Sequence, residues 1–223
     1  MQTLSEDLHA LELSLRAISN DSVAQKQSAY MRNLFSFLGV PTPARRHSTR
    51  EFLRTYAQAD KASIIEAVTH LWDYPEREFQ YVATDLLARH IRSKMNLFTH
   101  DDVPWLKELV VTHSWWDTVD SLDTVVGALA TAQQMLAWST DENMWVRRVA
   151  IDHQLLRKDA TDTALLSAII ENNLGSNEFF INKSIGWALR DFSKTDPAWV
   201  SKFLATHHFS LAPLSVREAS KYL

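Results

Sequence analysis

The 223-residue chain contains no cysteine, only four glycines and only six prolines. Without cysteine there is no disulfide, no thiolate nucleophile and no zinc–thiolate site, and the chain suits a reducing compartment. So few glycines and prolines leave too little turn chemistry for a protein built of many short strands. No run approaches the roughly 18 apolar residues of a membrane-spanning helix. The opening MQTLSEDLHALELSL lacks the basic segment and apolar stretch of a secretory signal. A soluble, cytoplasmic protein with no membrane partner is expected. Glycine-rich phosphate loops, a G-x-S-x-G elbow and H-E-x-x-H spacing are also missing, so no cofactor and no metal are expected. The formal net charge of −4 argues against a uniformly basic nucleic-acid binder. It does not oppose a local basic face, because phosphate responds to the field at one surface.

Helical periodicity fills most of what is there. Leu4, Leu8, Leu11, Leu15 and Ile18 follow a 3.6-residue stripe, and Thr3 and Glu6 have capping-box spacing. A second helix is expected over 21–38, stopped by Gly39. Thr42 and Pro43 read as N-cap and N1 of a third. Asp60, Pro75 and Asp101 or Asp102 open three more. Helices follow near 115–130, 133–138, 141–157, 161–173, 177–194 and 196–207, with a last short one after Pro213. No linker divides the chain, so a single domain over 1–223 is expected. Helices joined by short loops, in pairs recurring every roughly 35–40 residues, predict an all-α, HEAT-like helical-repeat solenoid with degenerate repeats.

Three of these helices carry an unusual mixture. In HSWWDTVDS, adjacent tryptophans point about 100° apart. Trp115 is therefore assigned to the core, and Trp116 to the face it shares with Asp120 one turn later. Trp145 and Arg148 follow at i, i+3 in the next such helix, and Lys183, Trp187 and Arg190 at i, i+4, i+7 in the third. On neighbouring inner helices of a solenoid these positions can form one concave surface of aromatic planes, cations and a carboxylate. Each residue taken singly has an ordinary explanation. Helical tryptophans are more often core, as Trp72, Trp105, Trp138 and Trp199 are taken to be, and a lone arginine is usually a surface ion pair. Asp117 suits the first turn of a helix by its charge alone, whereas Asp120 lies too far along for that. The cluster ARRHSTREFLR holds Arg45, Arg46, His47, Arg50 and Arg54, and serves equally as a solvated face or a phosphate contact.

The strings SWWDTVDS, WVRRVAI, FFINKSIGWALRDFSKTDPAWV and LAPLSVREASKYL resemble the DNA alkylation repair glycosylases of the AlkD type, as do AYMRNLFSFLGVPTPARR and LWDYPEREFQ. The resemblance runs from about residue 25 to the end. It implies a HEAT-like superhelix that clamps double-stranded DNA as a monomer and removes purines carrying a cationic N3 or N7 alkyl group. Such enzymes need not extrude the damaged base. Matched motif by motif, the catalytic group would be Trp116, Asp120, Arg148 and Trp187. Tyr30, Arg45, Arg46, Arg50, Lys183 and Arg190 would face DNA. All four catalytic positions are intact.

The implied chemistry suits these residue types. An alkylated purine is already cationic and departs as a neutral base, so the two-carboxyl arrangement of ordinary glycoside hydrolysis is unnecessary. One carboxylate, Asp120, would stabilise positive charge developing on the sugar and orient water. Trp116 and Trp187 would offer π faces to that charge, and Arg148 would hold a phosphate. Two other readings remain open from the sequence, a noncatalytic DNA- or protein-binding module and a structural interaction solenoid. Asp120 discriminates, since a scaffold gains nothing from a carboxylate set among phosphates.

Overall fold

The computed structural model describes residues 3–91, 93 and 96–223. Among them the structure is all-helical, with one isolated bridge between Ser36 and Glu76 and no strands. Contacts gather the chain into two compact units, residues 1–98 and 99–223.

The N-terminal unit contains α1 (Leu4–Arg16), α2 (Asp21–Tyr30), α3 (Thr42–Ser48), α4 (Arg50–Thr55), α5 (Lys61–Trp72) and α6 (Arg77–Ile91). Thr3 and Glu6 form the reciprocal capping box at α1. Asn20 and Asp60 accept from backbone N–H groups at the starts of α2 and α5. Each such cap contributes about 1 kcal/mol by satisfying a donor the helix leaves unpaired.

The second helix is shorter than its sequence predicts. It ends at Tyr30, and Arg32 and Asn33 turn the chain through positive φ of 57° and 56°. The cause is tertiary. The buried Glu78 carboxylate accepts N–H groups from Leu38, Gly39 and Val40 at 3.0, 2.9 and 3.0 Å, holding 38–40 as a loop rather than a helix end. Gly39 is needed there because a Cβ would lie 2.0 Å from the carbonyl oxygen of Asn20. Helix α6 likewise starts at Arg77 rather than at Pro75.

The C-terminal unit contains α7 (Val103–Val111), α8 (Trp116–Leu129), α9 (Ala132–Trp138), α10 (Met144–Asp152), α11 (Thr163–Glu171), α12 (Phe179–Ser193), α13 (Pro197–Thr206) and α14 (Pro213–Ala219). Their packing is that of a helical repeat. Helices α8, α10, α12 and α14 touch in succession, while α7 backs α8 and α10, α9 and α11 back α10 and pack on each other, and α13 backs α12. Val119, Leu122, Val126, Val146, Val149, Ile170, Ile181, Ile185 and Leu189 fill the space between these helices. Burial of a side chain of this size stabilises by roughly 1.5–3 kcal/mol. Trp72 and Trp138 are core as expected, whereas Trp105 and Trp199 are only half-buried. No helix among the described residues is long and apolar enough to cross a membrane.

Candidate active site

Three successive helices of the row, α8, α10 and α12, carry the residues that the sequence singles out. The two adjacent tryptophans diverge because only Trp116 is helical, and Trp115 is half-buried rather than core. Trp115 is the residue before α8, in extended conformation (φ −158°, ψ 162°). Its ring meets Trp145 at 5.6 Å and Phe180 at 5.1 Å between centroids, and Trp145 meets Phe180 at 4.9 Å. Trp116 is the first residue of α8, half-buried, one turn from Asp120.

Asp120 keeps 25% of its side chain exposed, and its Oδ1 accepts from Arg148 Nε at 2.8 Å. Arg148, on α10, is only 1% exposed. Its Nη1 donates to the Phe180 carbonyl oxygen at 2.7 Å, and its Nη2 lies 3.7 Å from Asp152. The guanidinium carbon is 5.2 Å from the centroid of the Trp187 ring. So Arg148 joins α8, α10 and α12. The sequence expectation that it holds a phosphate does not fit this placement, because its donors are turned into the protein. What it does instead is fix the Asp120 carboxylate.

Sequence reasoning missed two members of this group. Asp123 and Asp152 are buried, and carboxylate oxygens of Asp120, Asp123 and Asp152 all lie within 4.8 Å of one another. A signal was present: Asp123 is one turn beyond Asp120, and Asp152 is one turn beyond Arg148. The three carboxylates have the spacing of a metal site, but the Arg148 guanidinium already supplies a cation among them. Burial raises the Asp120 pKa, opposed by Arg148. Burial, then Asp152 and Asp120, hold the Asp123 carboxyl well above its usual range. Burial pushes Asp152 up to about 6, with Arg148 and the nearby Ser184 hydroxyl drawing it down. For Arg148 burial disfavours the charge, yet Asp152 and Asp120 more than offset that, and its pKa is raised.

Trp187, half-buried on α12, is ringed by cations: Lys183 Nζ lies 5.7 Å and Arg190 Cζ 5.9 Å from its centroid. Lys183 and Arg190 both bond the Glu218 carboxylate of α14, at 2.7 and 2.8 Å, and Lys221 joins them at 2.7 Å. Hydrogen bonds from Lys183 and Lys221 draw the Glu218 pKa down to about 2. One carboxylate thus orders three cations, leaving a net positive patch.

The remaining expected DNA contacts are in the N-terminal unit. Tyr30 is 72% exposed at the end of α2, and Arg46 and Arg50 are exposed on α3 and α4. Arg45 is not at the surface. It is buried, bonds Asp85 at 2.7 Å and sits 5.0 Å over the Tyr81 ring, tying α3 to α6. As adjacent helical residues, Arg45 and Arg46 must point apart, and the inward one became a structural ion pair.

A quarter-exposed carboxylate, fixed by a buried guanidinium that itself packs against the Phe180 and Trp187 rings, sits at the centre of this helical-repeat protein. The chain belongs to the DNA alkylation repair enzyme family, whose model matches residues 11–223. It is similar to a protein of known structure from Enterococcus faecalis described as a predicted DNA alkylation repair enzyme. Identity is 35% over 92% of this chain and 96% of that one, with a TM-score of 0.85. Comparison with curated proteins finds no match. The family assigns the chain a role in DNA repair.

Proposed function

We propose that the protein is a HEAT-like DNA glycosylase that hydrolyses the N-glycosidic bond of cationic N3- and N7-alkylated purines in duplex DNA. The observation that carries this is the Asp120–Arg148 pair. Asp120 is the one member of the carboxylate group that keeps solvent access, and it is anchored by a guanidinium with almost none. A carboxylate held in this way is oriented before the reaction starts, so it stabilises developing charge without reorganising at the moment of reaction.

The alkylated base leaves neutral, so no group is needed to protonate it. Positive charge passes to the deoxyribose as the bond lengthens. Asp120 faces that charge and accepts a hydrogen bond from the attacking water, whose proton passes to the carboxylate and on to solvent as the oxygen adds to the sugar carbon. Trp116 and Trp187, both half-buried beside the carboxylate group, are the aromatic surfaces a cationic sugar meets. Each favourable contact contributes roughly 0.5–2 kcal/mol. Lys183, Arg190 and Lys221 around Glu218 supply phosphate-binding charge on the same unit, and Tyr30, Arg46 and Arg50 supply contacts from the other.

Incubation of the protein with methylated duplex DNA, followed by chromatography of released bases, tests this reading. Free 3-methyladenine and 7-methylguanine with matching abasic sites are expected. Release no faster than in the control without enzyme would overturn it.

A further inference from the structure

Behind Asp120 lie two acids that the proposed reaction does not use. Asp123 Oδ1 and both oxygens of Asp152 are out of solvent, with no donor in hydrogen-bonding geometry among the described residues, the Ser184 hydroxyl being the neutral group nearest in effect on Asp152. Their oxygens and that of Asp120 lie within 4.8 Å of one another, and a single guanidinium serves all three. Arg148 spends its Nε on Asp120 and its Nη1 on a backbone carbonyl, leaving only the long 3.7 Å approach of Nη2 for Asp152. One positive charge cannot balance three buried or half-buried anions, and like charges this close in a dry interior do not all ionise.

We propose that Asp123 and Asp152 are positioning residues for the repair reaction, a carboxyl–carboxylate pair that shares one proton, holds the Arg148 guanidinium in place and sets the negative potential that Asp120 presents. This rests on the glycosylase reading above. With both carboxyls protonated, Asp120 is the anion to which Arg148 is committed. When Asp152 ionises, the one remaining proton stays in the pair, and Asp152 competes for Nη2 and adds a second negative charge behind Asp120. Both changes leave more of the Asp120 charge for the sugar. The three acids titrate as a coupled set, so the rate follows apparent values belonging to the group rather than to one residue.

The charged groups facing the pair are few. From α8 there is Asp120, and from α10 Arg148 itself. From α12 the facing group is the uncharged Ser184 hydroxyl, while Lys183 and Arg190 of that helix bond Glu218. On α7, Lys107 bonds Asp141 and Glu108 is exposed. Helix α9 has no titratable side chain, and Glu171 of α11 is exposed, 3.5 Å from His207.

Two measurements on the full chain decide the matter. In the first, side-chain carboxyl carbons are titrated by NMR. Asp123 is expected to titrate well above the usual carboxylate range and Asp152 near 6. Titration of both near 4 would overturn the shared proton, whether or not the protein cleaves anything. In the second, single-turnover base release is followed from pH 5 to 8 for the parent, Asp152→Asn and Asp123→Asn. Asp152→Asn removes the acid that ionises near 6, and Asp123→Asn replaces the shared proton with a permanent amide donor to Asp152, so each should move the acid limb of the profile down. Asp152→Asn should also lower the plateau rate on the order of tenfold to a hundredfold, as loss of positioning does, with DNA affinity within about twofold. Profiles and rates that superimpose on the parent overturn the positioning role. Should Asp152→Asn fail to fold, Asp123→Asn and the titration of the unmodified protein decide. A parent that releases no base removes the glycosylase reading and the positioning role with it, while the NMR titration still judges the shared proton separately.

Discussion

Arg148 Nε lies 2.8 Å from Asp120 Oδ1, and the arginine making this bond is 1% exposed while its aspartate partner is 25% exposed. The asymmetry matters because it makes the cation the anchor and the carboxylate the presented group. Arg148→Ala would leave three carboxylates around an unfilled site. Breaking a buried pair by removing one partner costs about 3–5 kcal/mol, so the variant should show that loss in denaturant unfolding at pH 7. The loss should shrink at pH 5, where more carboxyls are protonated. Unchanged stability with weakened DNA binding would instead place Arg148 at a phosphate.

Stability should respond to pH in two opposite ways. Glu218 is depressed to about 2, so its contribution is present above about 4.5 and lost as pH falls toward 2. Asp152 is raised to about 6, so its contribution is present below about 3.8 and lost as pH rises through 6. Glu218→Gln should flatten the acid side of a Tm-versus-pH curve, and Asp152→Asn should flatten the decline between about 4 and 6. A curve unaffected by either substitution would contradict the ion-pair assignments.

Close approach of α8 to α10 holds the Asp120–Arg148 geometry, and Gly127 permits it. A Cβ there would lie 2.2 Å from the His153 carbonyl oxygen, which is backbone and cannot rotate away. The carbonyl of Gly127 also accepts from Arg157. Gly127→Ala gains roughly 1 kcal/mol of helix propensity but forces the helices apart. The expected net result is a loss of roughly 1–3 kcal/mol, as overpacking gives, together with slower base release. A stabilised, fully active variant would show that the spacing is unimportant.

Neighbouring arginines on α3 should behave differently. Arg46→Ala removes an exposed cation, and should reduce the slope of log affinity for duplex DNA against log salt by about 0.9 with little change in Tm. Arg45→Ala removes the buried partner of Asp85 and should cost roughly 1.5–3 kcal/mol of stability, leaving the salt slope unchanged. Interchanged results would mean that Arg45 reaches DNA.

The sequence showed the helices far better than it showed the electrostatics. Periodic leucines and capping residues such as Thr3, Asn20, Asp60 and Asp196 act through local backbone geometry, so spacing reveals them. The short second helix was illegible because Glu78, about 40 positions away, decides the conformation of 38–40. The divergence of Trp115 from Trp116 was anticipated from the 100° helical step, but it arises because Trp115 is extended and lies before the helix. The inward turn of Arg45 rather than Arg46 was not, since helix geometry says only that the two differ. Asp123 and Asp152 lay at helical spacing from Asp120 and Arg148, which the sequence singles out. Their burial with a single cation depends on how α8, α10 and α12 pack, which no local pattern encodes.

The most direct test of the account is base release from methylated duplex DNA by Asp120→Asn beside the parent. Asparagine keeps the shape and can still accept from Arg148 Nε, and the guanidinium keeps its bond to the Phe180 carbonyl, so the variant should fold. It should bind DNA as well as the parent or better, having lost a repulsion with phosphate. Excision should fall on the order of 10²-fold or more, as when a preorganised electrostatic partner is removed, once spontaneous depurination is subtracted with a control lacking enzyme. Undiminished release of 3-methyladenine and 7-methylguanine by the folded Asp120→Asn protein would contradict the assignment of Asp120 as the group that stabilises the cationic sugar.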